Sequence, residues 1–301
     1  MPPVQDPTPS SAVRPRHTST DHWPAPGSSL AICLSTVPPL QRERVHTWLK
    51  WWHETARIPL DILDIGVAET KLAWWVNALN EAAQQGQAQH PILQTLLSSS
   101  APGDLPPWPM WLTQLQAQLD YLHQNRWMDE AALSHHLATT TGEAAACVAW
   151  LLGVHDEAGL AAARAWGIGI RRCHQLARLG QDARAGWVHV PIDTLQRFDV
   201  KAHQLVKPQA GQLPDGWPAL LAHQHGLARE AINAARAATR ALDSHTRQRL
   251  RPIAALGAIM ATQADAVAQA GGTVLFERLR LTPLRKAWAA QRQAWRLWFG
   301  A

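Results

Sequence analysis

The chain has 301 residues, of which 47% are hydrophobic and 17% charged, a balance typical of a folded rather than a disordered protein. Its 28 basic and 23 acidic residues give a formal net charge of +5, which is too small and too dispersed to predict a nucleic-acid-binding surface. Tryptophan dominates the aromatic residues, with 16 Trp against 1 Tyr and 3 Phe. Abundant Ala and Leu, with few β-branched residues, favour helices over strands.

The helical segments are separated by clear Pro and Gly breaks. Residues 1–27 are rich in Pro, Ser and Thr, which predicts a disordered tail ahead of one helical domain over residues 28–301. The predicted helices span residues 40–57, 68–86, 110–125, 129–152, 156–180, 219–243, 247–270 and 282–299. Pro59 is expected to lie beyond the end of the first, and residues 186–191 are too short a strand-like run to found a sheet. The pattern predicts an all-α bundle with buried central helices.

The cysteines and the lengths of the hydrophobic runs indicate the cellular compartment in which the protein is expected. Cys33, Cys147 and Cys173 are widely spaced in apolar stretches, so we expect reduced core thiols rather than disulfides or a zinc site. No apolar run approaches the roughly 18 residues of a membrane span, and residues 1–27 lack the hydrophobic segment of a signal peptide. We expect a cytoplasmic protein, with peripheral attachment to the inner membrane as an open alternative.

Several histidines invite a metal-site interpretation that their spacing does not favour. His135 and His136 are adjacent, and His223 and His225 are two apart, so each pair diverges on a helix. Neither pair has an acidic residue or a Cys three or four positions further on. We therefore expect histidines at the surface or partly buried, without a metal.

Three stretches resemble motifs of the squalene/phytoene synthase family, and they occur in the same order and at the same spacing as in the family. The first, residues 69–79 (ETKLAWWVNAL), carries Leu-x-Trp-Trp-x-x-x-Leu ahead of a His-Pro pair. The most specific is residues 165–191 (AWGIGIRRCHQLARLGQDARAGWVHVP), which is similar to a helix running into Asp-x-x-x-Asp and then Gly-Arg-x-Tyr-Leu-Pro. A weaker one is residues 137–153 (LATTTGEAAACVAWLLG). The resemblance extends from Ser28 to about residue 270.

The resemblance implies an isoprenoid-synthase-like helical bundle around a central cavity. Enzymes of this family condense two prenyl diphosphates head to head. Their two Asp-rich motifs lie on facing helices and hold Mg²⁺ ions, which bridge the carboxylates to the diphosphates. A four-residue spacing places both carboxylates of one motif on the same helix face.

The metal-binding motifs are where this sequence departs from the family. In the second motif Asp182 keeps one aspartate position, but the other is Arg178, which cannot hold Mg²⁺ although it can contact a phosphate. The first motif aligns with residues 51–57 (WWHETAR), so that its paired aspartates fall on Ala56 and Arg57. A shifted motif built on Asp61 and Asp64 stays open. The Arg and Tyr of Gly-Arg-x-Tyr-Leu-Pro are also replaced.

A divergent branch of the family, represented by the mitochondrial complex I assembly factor of this type, resembles the chain better. There a Phe-Asn-x-Glu-Leu-Ala segment replaces the first Asp motif, and Glu54 falls on its glutamate. On this basis Glu54, Arg57, Arg171 and Arg178 are the predicted substrate contacts and Asp182 is the predicted metal ligand. No cofactor is expected, or Mg²⁺ if the chain is an active enzyme.

The preferred hypothesis is a catalytically degenerate family member that binds an isoprenoid lipid, such as a prenyl diphosphate, or a partner protein. A role in respiratory-complex assembly or quinone-related metabolism would suit it. The alternative is an active Mg²⁺-dependent prenyl transferase that uses Asp182 with Asp61, Asp64 or Glu54. A third interpretation is a structural helical module without a cavity.

The last predicted helix is amphipathic and basic. Leu284, Trp288, Trp295 and Trp298 can share one broad face, and four basic residues flank it: Arg285, Lys286, Arg292 and Arg296. A helix that caps the core with a solvated basic edge is the favoured interpretation. Contact with a membrane surface is the alternative, because basic Trp-bearing helices are typical of such surfaces.

Overall fold

The structure is a computed structural model that describes residues 23–299, apart from Pro102, Asn125 and Ala210. Residues 1–22, where most of the predicted tail falls, therefore lie outside the described residues. Residues 23–27 precede the first helix, and the Trp23 ring stacks on His53 with 4.6 Å between ring centroids. This short segment packs against the bundle.

Helices follow one another along the described chain. They are α1 (Ser29–Leu34), α2 (Pro39–Asp61), α3 (Ile65–Gln85), α4 (Pro91–Ser98), α5 (Trp108–His123), α6 (Glu130–Leu137), α7 (Glu143–Leu151), α8 (Glu157–Arg184), α9 (Ile192–Arg197), α10 (Ala202–Val206), α11 (Trp217–Arg240), α12 (Ser244–Arg249), α13 (Arg251–Ala270) and α14 (Pro283–Phe299). A π-helical turn (Ala138–Gly142) joins α6 to α7, and a 3₁₀ turn (Gly271–Leu275) follows α13. No strand occurs in this part of the chain, which confirms the predicted all-α class.

One predicted boundary is wrong. The first long helix was expected to end ahead of Pro59, but α2 continues through this proline to Asp61. A proline inside a helix removes one backbone hydrogen bond. Burial of Ile58 and Pro59 stabilises this last turn, as does the ion pair between Arg57 and Asp61.

Helix α8 is the central element of the bundle, packed against α7, α11 and α13. Gly167 also lets α8 approach the π-helical turn ahead of α7 closely, because a Cβ atom there would lie 2.1 Å from the Thr141 carbonyl oxygen. Thr141 belongs to the π-helical turn, which interrupts the single helix predicted for residues 129–152. Such turns widen a helix locally and are frequent at functional sites. This packing holds α8 close to the chain between α6 and α7.

The tryptophans of α2, α3 and α5 form a packed core. Trp48, Trp51, Trp75 and Trp111 are at most 1% exposed. Trp51 lies 4.6 Å from Trp111 between ring centroids and 6.4 Å from Trp75. These rings contact one another inside the bundle. Leu72 and Trp75 of the Leu-x-Trp-Trp motif are therefore part of the core.

Helix α13 and the turn after it form a segment, Arg251–Leu275, that is long and apolar enough to cross a membrane by length and composition alone. The sequence had predicted no apolar run of this length. However, 61% of its most apolar window is buried inside the bundle. Core helices of globular proteins have the same composition, so this segment is a weak indication of a membrane span.

Candidate functional site

The charged residues predicted on α8 gather around Asp182. The Arg178 guanidinium lies one turn earlier, and its Nε donates a hydrogen bond to Asp182 Oδ1 at 3.0 Å. His189 Nε2 lies 3.4 Å from Asp182 Oδ2. Both carboxylate oxygens therefore already face a positive or hydrogen-bond-donating group.

The loop after α8 brings His189 to this position. Gly186 adopts a left-handed conformation with φ of 92°, which favours glycine, and the chain turns back there. The Trp187 N–H then donates to the Asp182 carbonyl oxygen at 2.8 Å. His189 stands where the family has its Tyr, and Trp187 stands where the family has its Arg. Both replacements are therefore part of the site.

Two more arginines increase the positive charge of the cluster. Arg171 lies two turns before Arg178, and its Nη1 is 3.2 Å from His174 Nδ1. Burial lowers the pKa of Arg171, and nearby Tyr121 and Asp182 partly offset this. Partial desolvation also lowers the pKa of Arg278, an exposed residue, as does the nearby charge of Arg178. With a single carboxylate among three arginines, the cluster carries an excess of positive charge.

The histidines of the cluster are held neutral. Burial, together with the charges of Arg171 and Arg178, lowers the pKa of His174 to about 3. Burial and Arg171 likewise lower the pKa of His136 to about 3. Burial alone would raise the pKa of Asp182, but the hydrogen bond from His189 and the charge of Arg178 outweigh it, so that this pKa is lowered. The site therefore holds one carboxylate, neutral imidazoles and guanidinium groups.

An aromatic stack lies beside the cluster. Tyr121 is stacked on Trp187, with 5.0 Å between ring centroids, and on His136, with 4.9 Å. Trp127 packs on the same His136 ring at 4.7 Å. The Tyr121 hydroxyl is buried without a hydrogen-bond partner among the described residues. These rings form an apolar wall next to the arginines, with one polar group available to a ligand.

The enclosed space beside this cluster is small. A cavity of about 20 Å³ is lined by Gln175, Leu179, Val188 and His189, among others. This volume accommodates about one water molecule. A longer ligand would have to displace some of the side chains that line this cavity.

The predicted residues on α2 lie apart from this arrangement. Arg57 forms a two-point ion pair with Asp61, at 2.6 and 2.8 Å, and both side chains are about half exposed. Asp64 caps α3 by accepting from the Val67 N–H at 3.0 Å. Glu54 is partly buried. Among the described residues, no hydrogen bond or ion pair joins these side chains to those of α8.

A magnesium site of the family's kind does not fit these residues. Mg²⁺ needs near-octahedral oxygen ligands at about 2 Å. Asp182 offers one carboxylate whose oxygens are already engaged, and its neighbours are cations. In the part of the chain that the structure describes, no group of three or more His, Cys, Asp or Glu side chains could hold a metal ion. Asp61 and Asp64 are engaged in an ion pair and a helix cap.

The fold and the charged central helix together define the class of protein. The chain is similar to a dehydrosqualene synthase crystallised with a ligand, with a TM-score of 0.76 and 15% identity over 90% of this chain and 92% of that one. Squalene synthase HpnC from Alicyclobacillus acidocaldarius superposes with a TM-score of 0.69 and 15% identity, over 80% of this chain and 88% of that one. The protein therefore has the isoprenoid-synthase helical fold.

The family follows from the sequence profile. The squalene/phytoene synthase profile matches residues 24–285, and the chain belongs to this family. No curated protein matches the sequence significantly. The predicted family and fold are thus confirmed.

Of the predicted site residues, Arg171, Arg178 and Asp182 lie together in the structure. His174 and Arg278 belong to the same cluster but were not predicted, and residues 187 and 189 were noted only as departures from the family motif. The sequence could have indicated that His189 pairs with Asp182. It replaces the family's Tyr seven residues after Asp182, and an imidazole can pair with a carboxylate.

Proposed function

We propose that the protein binds an isoprenoid with an anionic head group, of the prenyl diphosphate class, without condensing it. The arginine-rich cluster on α8 takes the head group directly, in place of the metal ions that the enzymes of the family use. The aromatic stack of Tyr121, Trp127, His136 and Trp187 provides the apolar surface for the start of the chain.

One observation carries the proposal: the ion pair between Arg178 and Asp182, at a position where the family places two metal-binding aspartates. Guanidinium groups bind phosphate oxygens with two parallel hydrogen bonds and need no bridging metal. An anion that enters the cluster would pair with Arg171 and Arg278 and compete with Asp182 for Arg178. The excess positive charge supports such an exchange.

The loss of catalysis follows from the same exchange. Carbocation formation requires strong stabilisation of the departing diphosphate, and electrostatic groups supply most of that stabilisation. Removal of one such group commonly costs about 10²–10³ in rate. Here three of the four aspartate positions carry Arg178, Ala56 and Arg57.

Titration calorimetry with farnesyl diphosphate tests the proposal. We expect binding in EDTA with an affinity that added Mg²⁺ changes less than about threefold, and no diphosphate release. Inorganic diphosphate should bind at least about tenfold more weakly, since burial of two methylene-sized groups contributes about 1.6 kcal/mol. Binding that requires Mg²⁺ would overturn the proposal.

Matched arginine variants locate the site. Arg171→Gln and Arg178→Gln should each weaken binding by about 10- to 100-fold, because each removes a charged hydrogen bond worth about 1.5–3 kcal/mol. Arg57→Gln is the control, since this arginine is half exposed and paired on α2. An equal loss in the control variant would place the ligand elsewhere.

A further inference from the structure

Helix α14 presents two chemically different faces. Its inner face packs on α13 and α1 through small residues, and Ala289, Ala290 and Ala294 are each at most 8% exposed. Gln293 lies on the same buried side. Small side chains let the helix approach the core closely. The core is therefore capped by alanines and not by the tryptophan face that the sequence suggested.

The outer face carries large apolar side chains in solvent. Leu284 is 83% exposed, Trp288 57% and Trp295 48%. The two indole rings contact each other edge to face, with 5.9 Å between centroids. The side chain of Trp298, predicted on this face, lies outside the described residues. Exposed large apolar groups at helical spacing mark an interaction surface.

The charge around this apolar stripe has one sign. Arg285, Arg292 and Arg296 are exposed beside it, whereas Lys286 is committed to the Gly27 carbonyl oxygen at 3.0 Å. Helix α14 contains no Asp or Glu. The positive region continues onto α11, where burial and the charges of Arg229 and Arg296 lower the pKa of Arg236 to about 10. Several cations therefore share one side of the molecule.

This combination matches the chemistry of an anionic lipid surface. Tryptophan rings favour the boundary between head groups and acyl chains, and exposed arginines attract anionic head groups. The three arginines lie to one side of the apolar stripe, which suits a helix lying flat with its indoles inserted. We propose that α14 is a membrane-surface helix that docks this protein on anionic bilayers through Leu284, Trp288 and Trp295 with Arg285, Arg292 and Arg296.

Flotation with lipid vesicles tests this proposal on the full chain. We expect binding to vesicles of phosphatidylcholine with 30% phosphatidylglycerol and little binding to phosphatidylcholine alone. The double variant Trp288→Ala/Trp295→Ala should weaken partitioning about tenfold or more, since it removes two interfacial anchors. Replacement of the three arginines by Gln should weaken it about 100-fold, and 0.5 M salt should have a similar effect.

A matched variant on α3 provides the control. Lys71→Gln/Trp74→Ala removes an exposed cation and a tryptophan that is 45% exposed, and it should leave vesicle binding unchanged. Thermal melts of all variants check that the fold is retained. A second copy of the chain is the other candidate for this face of α14. Light scattering of the free protein tests for such a dimer, and a dimer that Trp288→Ala dissociates would overturn the proposal. Equal flotation of wild type and both α14 variants would also overturn it.

Discussion

Helices α2 and α8 carry the two motifs in which the family keeps its metal-binding aspartates, and these motifs have diverged in different ways. On α2 the remaining charges, Arg57 and Asp61, pair with each other one turn apart in solvent. On α8, Arg178 and Asp182 also pair one turn apart, but they are largely buried, and residues from other segments, such as His189, join them.

The difference shows what each helix contributes. The buried side of α2 is mostly apolar and includes Trp48 and Trp51, so this helix mainly stabilises the bundle. Helix α8 keeps charged groups inside the protein, where desolvation is costly unless the groups are paired. Retained buried charge is therefore the better indicator of a ligand site, and α8 has it.

The largest expected effect comes from the core of α2. Trp51→Ala removes a fully buried indole that contacts Trp48, Trp75 and Trp111. We expect the free energy of unfolding to fall by about 3–5 kcal/mol. Urea denaturation followed by circular dichroism measures this change. A loss below about 1 kcal/mol would mean that Trp51 of α2 contributes little to the stability of the core.

A smaller effect is expected when the carboxylate of α8 is removed. Asp182→Asn leaves Arg178 buried without its counter-charge, and we expect the free energy of unfolding to fall by about 3 kcal/mol. Because Arg178 is then free to contact a phosphate, farnesyl diphosphate should bind more tightly than to wild type. Calorimetry in EDTA measures the affinity, and weaker binding by this variant would contradict the account of α8.

Acid should destabilise the protein through its neutral histidines. The pKa values of His136 and His174 are lowered to about 3, below the usual value of 6.5. Their contribution to stability is complete above pH 6.5 and is lost as the pH falls from 6.5 towards 3, by about 1.4 kcal/mol per pH unit for each histidine. Denaturation curves at pH 7, 6 and 5 should show this slope, and His136→Gln should reduce it.

An unchanged slope of stability against pH in His136→Gln would show that this imidazole does not stay neutral in the folded protein.

The smallest effect is expected at the exposed ion pair of α2. Asp61→Asn should lower the free energy of unfolding by less than about 1 kcal/mol, because exposed pairs gain little in water and salt screens them. It should also leave diphosphate affinity unchanged. The same chemical change thus has different consequences on α2 and α8, and comparable losses in Asp61→Asn and Asp182→Asn would remove the distinction between them.

Much of the fold could be predicted from the sequence, because helix periodicity and Pro and Gly breaks are local features. The continuation of α2 through Pro59 could not, since it depends on buried Ile58 and on the Arg57 ion pair. The site residues on α8 could be predicted as neighbours, because their spacing places them along one helix. Tyr121 and Arg278 reach the cluster from distant segments, and a single sequence gives no register between them. The outward tryptophans of α14 were unpredictable for a related reason: either face of that helix could have packed inward.

Product analysis after incubation with farnesyl or geranylgeranyl diphosphate and Mg²⁺ tests the central claim most directly, namely that the protein binds the head group through arginines and does not condense the chains. Mass spectrometry of the extracted lipids should recover the prenyl diphosphate intact, with no condensed product even after overnight incubation. Formation of presqualene diphosphate, squalene or phytoene above a no-protein control would contradict the account.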